Sequence, residues 1–186
     1  MIDPLSWLPA PPDYKQLLLG VLLAVSIASA PARAADASVP DGVSQRVLTL
    51  VNAFREEQGR SKLETDMRLT QAAQSFADFL AATGRFEHDA DGATPRARVK
   101  QRGYDACATA ENIANEYSSR GFTEERLARA FVEGWKQSPA HRENIVDADA
   151  TQTGVGVSRA KDGGYYAVQL FAEPRTAGRN CSRQRR

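Results

Sequence analysis

The sequence predicts an α+β domain in which a small, mostly antiparallel sheet is covered by helices on both faces. Apolar residues recur at helical spacing in successive stretches from Pro40 onward, and the pattern changes to alternation near the carboxyl terminus. The last strand-like run is apolar on both sides, so it needs a cover on both.

The chain opens with an apolar run, Leu17 to Ala30, shorter than the roughly 20 residues that span a bilayer. It is followed by Ala32-Arg33-Ala34, with small residues at the alternate positions a signal peptidase requires. Residues 1–34 are therefore expected to be an export signal cleaved after Ala34. A retained anchor is the alternative, because Asp3 and Asp13 offset the positive charge of the leading segment. Residues 35–42 read as a short linker, 43–174 as the domain and 175–186 as a basic tail.

Within the domain, Val43, Val47, Leu50, Val51 and Phe54 fall on one helical face, and Gly59 stands where that helix would stop. Leu69, Ala72, Ala73, Phe76, Phe79 and Leu80 mark a second helix ending at Gly84. Thr94-Pro95 has the form of an N-cap followed by proline at the first helical position, with Gly103 closing that short helix. A further helix starts after Thr123, with Glu124 and Glu125 in its positively polarised first turn and Phe122 placed to staple onto Leu127. Leu127, Phe131 and Trp135 form its apolar face and Pro139 stops it. Two β-rich runs, "TGVGVSRA" and "YYAVQLFA", are joined through Lys161-Asp162-Gly163-Gly164, a hairpin signal. In the second run Tyr166, Val168 and Leu170 share one face, and Tyr165, Ala167, Gln169 and Phe171 the other.

A chain of 186 residues with net charge +1 and ordinary apolar content is that of one globular domain, and its overall charge carries no signal for nucleic acid. The five arginines after Pro174 read as a solvated terminus, with adhesion to an anionic envelope surface as the alternative. In an exported protein the two cysteines, Cys107 and Cys181, are expected to pair, closing a loop of about 75 residues; two unpaired thiols are the alternative. There is no P-loop, dinucleotide fingerprint or G-x-S-x-G elbow, and Cys107 lacks the surroundings of a thiol-protease nucleophile.

The strings "FEHDADGATPRARVKQRGY", "AENIA", "GWKQSPAHRENI", "TGVGVS" and "YYAVQLFAEP", in that order, resemble the bacterial branch of the CAP superfamily. This is the family of cysteine-rich secretory proteins, antigen 5 and pathogenesis-related proteins, whose domain is also called SCP. The resemblance covers Val43 to Pro174 and implies an α-β-α sandwich. It also implies a cleft on which His88, His141 and Glu111 converge, with Asn112 and Gln169 as further lining residues. The family's second glutamate is replaced by Ser138, and Glu133 would point elsewhere on its helix.

His88 and His141 are the only histidines in the chain. Two imidazoles and a carboxylate could ligate a divalent metal such as zinc, weakly with three ligands at most, or form a charge-assisted hydrogen-bond cluster without metal. The leading expectation is a secreted or periplasmic binding module that holds a lipid or a cell-envelope fragment in the cleft. A metal-dependent hydrolase using the same residues, and an interaction protein whose cleft residues only hold the fold, are the alternatives. No transmembrane span is expected in the mature chain.

Overall fold

The computed structural model describes residues 39–175 together with Cys181. The expected export signal and most of the basic tail lie outside the described residues. Helix α1, Val39–Glu57, takes Pro40 into its first turn, where the missing N–H goes unused, so residues 39–42 of the expected linker are helical. Val43, Val47 and Val51 are fully buried along it. Strand β1, Glu64–Thr65, is short and leads into α2, Met67–Thr83. The Asp66 carboxylate caps α2 by accepting from the Arg68 amide at 2.8 Å, and Gly84 ends the helix at a φ of 70°.

Helix α3, Pro95–Gln101, starts as expected, with Thr94 Oγ1 accepting from the Ala97 amide at 3.2 Å. Strand β2, Ala106–Glu116, follows; it has no counterpart in the sequence reading. Helix α4, Glu124–Gln137, is capped by Thr123 and buries Leu127, Phe131 and Trp135. The chain then restarts at once as α5, Pro139–Val146, with proline in its first turn. Arg55, at the end of α1 and 1% exposed, donates to the main-chain oxygens of Ile145, Asp147 and Ala150. It thereby satisfies carbonyls around the end of α5 that helix geometry leaves without partners.

Strands β3, Gln152–Arg159, and β4, Tyr165–Pro174, form the predicted hairpin. The sheet order is β1-β3-β4-β2, with β1 parallel to β3 and the other pairs antiparallel. The faces of β4 separate as the alternation predicted. Tyr165, Ala167 and Phe171 join α1, α4 and α5 in one core, whereas Val168 and Leu170 join α2 and α3 in the other.

The glycines of "TGVGVS" explain how close α2 lies to the sheet. A Cβ on Gly154 would sit 2.2 Å from the Leu69 backbone, and one on Gly156 would sit 2.3 Å from the Gln74 backbone. Beyond the two residues that β1 covers, the Gln74 side chain bonds both the N–H and the C=O of Val157, at 3.1 and 3.0 Å, and so covers part of the outer edge of β3. Cys107 and Cys181 are joined in a disulfide, their Cα atoms 5.1 Å apart, which ties the tail to the start of β2.

Candidate functional site

Strand β2 lies at one edge of the sheet, and successive residues on it point to opposite faces. Glu111 pairs across from Leu170 on the α2–α3 side, and Asn112 pairs across from Gln169 on the α4–α5 side. The dipeptide therefore serves both layers of the sandwich.

On the first side the Glu111 carboxylate is buried, with its side chain 1% exposed. Its Oε1 accepts from His88 Nδ1 at 2.8 Å and its Oε2 from Arg98 Nη2 at 2.7 Å. His88 comes from the loop between α2 and α3, and its imidazole is half exposed. Arg98 projects from α3, is 5% exposed and lies over the Phe76 ring at 3.6 Å. Its remaining bonds reach Asp91 Oδ1 at 2.8 Å, the Ala93 carbonyl at 2.7 Å and the His88 carbonyl at 2.8 Å. Paired guanidinium and carboxylate groups are what make burial of two charges tolerable.

On the second side Asn112 is fully buried and moors α5 to the strand. It donates to the His141 carbonyl at 3.0 Å and accepts from Asn144 at 2.9 Å. Asn144 also donates to the Glu111 carbonyl at 3.3 Å. The His141 imidazole sits in the first turn of α5, partly buried. Burial holds its pKa below the ordinary value, and the neighbouring His88 charge lowers it further.

Gln169 is fully buried inside the sandwich, where it donates to Thr153 Oγ1 at 3.2 Å. Glu133 is engaged with Lys136 at 2.8 Å. Ser138 stands at the joint between α4 and α5 and makes no side-chain cap bond. Arg98 was missed by sequence reasoning, since nothing in "PRARVK" marks the buried arginine apart from its neighbour Arg96.

Among the described residues no group of three or more His, Cys, Asp or Glu side chains is placed to hold a metal ion. Both Glu111 oxygens are already committed to His88 and Arg98, which leaves the two imidazoles as donors. That set does not fit a three-ligand catalytic zinc. On the α5 side of β2 a shallow depression of about 30 Å³ is lined by Ala108, Ala110, Phe171 and Asn144, with the acidic Asp147, Asp149 and Glu173 also on its wall.

Known proteins share this arrangement of elements. The family model for cysteine-rich secretory proteins, CAP, matches residues 48–171. This chain belongs to the CAP family. Among CAP relatives, the uncharacterized membrane protein YlbC of Bacillus subtilis is 29% identical over 62% of the chain, which spans 31% of that relative's length. An outer surface protein of Borrelia burgdorferi has the same CAP fold, with a TM-score of 0.61 and 21% identity, over 72% of this chain and 93% of that one. An extracellular protein containing an SCP domain from Bacillus anthracis superposes with a TM-score of 0.58 and 24% identity, over 72% of this chain and 41% of that one. The disulfide fits a CAP protein that is exported to an oxidising compartment.

Proposed function

We propose that this CAP-domain chain is an exported binding module, and that the cleft of His88, His141 and Glu111 holds a small hydrophobic or cell-envelope ligand. The observation that carries the reading is the half-exposed His88 imidazole, held by a buried carboxylate beside a second imidazole. Such a group presents a hydrogen-bonding nitrogen to a ligand. The neighbouring shallow depression, with Ala108, Ala110 and Phe171 among its lining residues, adds a small apolar contact, and the mooring residue Asn144 borders both. Binding is favoured over hydrolysis because Cys107 is locked in a disulfide and Glu111 is engaged on both oxygens. Asn112 supports the cleft from behind, and Gln169 acts through the core rather than by touching ligand.

The test is native mass spectrometry with elemental analysis of the mature protein taken from its own periplasm or medium. It is followed by NMR titration of the purified chain with lipid micelles and with soluble envelope glycan fragments. Shifts at His88, His141 and Asn144 that vanish in His88→Ala are expected with one of these ligands. Stoichiometric zinc together with ester or peptide hydrolysis that His88→Ala abolishes would replace this reading with the hydrolase.

A further inference from the structure

We propose that Arg98 is the positioning residue of the cleft: it fixes His88 in one tautomer, with Nδ1–H turned inward to Glu111 and the Nε2 lone pair left for whatever enters. The importance of this for binding rests on the cleft reading above; the geometry does not.

One nitrogen of Arg98, Nη2, donates both to the main-chain oxygen of His88 and to Oε2 of Glu111. The other oxygen of the same carboxylate accepts from His88 Nδ1. The bonds therefore close a ring that leaves His88 through its backbone and returns through its side chain, with Arg98 and Glu111 as the links. A ring of this kind fixes the imidazole relative to its own main chain, although half of its surface is open to solvent. A carboxylate can only accept, so Nδ1 must carry the hydrogen, and in the neutral imidazole Nε2 then holds the lone pair. The same logic orients metal-ligating histidines through a carboxylate behind them.

Arg98 suits the task because both of its terminal nitrogens and its ring-stacked plane are held. Its plane is stacked on Phe76, Nη1 is anchored to Asp91 and Ala93, and the fork offers parallel donors that a single ammonium cannot. Lysine at this position would keep the charge and lose the ring.

The experiment is 15N NMR of histidine-labelled, ligand-free protein, with the pH raised until the ring-nitrogen shifts themselves stop changing. Wild type is expected to show His88 as the pure Nδ1–H tautomer; an Nε2–H tautomer or an even mixture there overturns the proposal without any variant. Arg98→Lys, checked for folding by a cooperative melt, is expected to convert His88 to a mixture, and an unchanged His88 pattern overturns the proposal. Asp91→Ala removes a loop anchor of Arg98 but leaves the ring, so it is expected to keep the wild-type tautomer. If it disturbs His88 as much as Arg98→Lys does, the loop holds the imidazole and the ring does not. Because no ligand is present, failure here and failure of the binding reading are separate results.

Discussion

Because Glu111 meets His88 with one oxygen and Arg98 with the other, replacing it by alanine leaves the buried guanidinium with Asp91 as its remaining carboxylate, beside an untethered imidazole. Breaking a buried pair by removing one partner costs about 3 kcal/mol or more, so Glu111→Ala should show a large loss in denaturant unfolding. His141 makes a different, pH-dependent contribution. Its pKa is lowered in the folded state, so the unfolded chain binds more protons between that lowered value and the ordinary 6.5. Stability from this group is therefore complete above 6.5 and is lost as pH falls below it. Melts across mildly acidic pH should reveal the slope, and His141→Asn should remove this component of it. The histidines and Glu111 could be singled out in the sequence because they stand in distinctive strings. The buried arginines could not: Arg55 and Arg98 look like any surface arginine until the carbonyls and carboxylates that surround them come from distant segments.

At the level of elements, the two kinds of glycine on the helices and strands predict opposite outcomes. Gly156→Ala drives a methyl group into the backbone of α2 at Gln74, and overpacking of that kind should destabilise by about 2 kcal/mol or more. Gly134, inside α4, has nothing within 4 Å of where its Cβ would lie. Gly134→Ala should stabilise by about 1 kcal/mol through helix propensity alone. Thermal melts of the two variants check both signs. The helices α1, α2 and α4 were legible because each carries a long apolar stripe, and the β3–β4 hairpin because alternation and turn chemistry agree. Strand β2 was not, since its run of Ala, Glu and Asn has little β-propensity and gains its conformation from pairing with β4 along nearly its whole length. Nor was α5, a helix of eight residues that buries Ile145 alone and begins at the proline that reads as a stop.

For the whole molecule, the disulfide is the covalent cross-link, with a sequence separation of 74 between its cysteines. On the chain-entropy model, replacing both cysteines by serine should lower stability by about 4 kcal/mol, to be measured by denaturant unfolding against the oxidised wild type. Reductant should destabilise the wild type and leave the double variant unchanged. Among the described residues no helix is long and apolar enough to cross a membrane. The sandwich is built on one sheet with a different core on each side, and the edge strand β2 gives Glu111 to one layer and Asn112 to the other. Parity along that strand therefore matters more than most of its spellings. One residue inserted or deleted between Ala108 and Ala110 would exchange the two side chains, turning the acid toward α5 and the amide toward Arg98, even if the ladder to β4 re-formed around the change. The number of residues in that stretch, not only their identity, therefore decides which layer receives the acid.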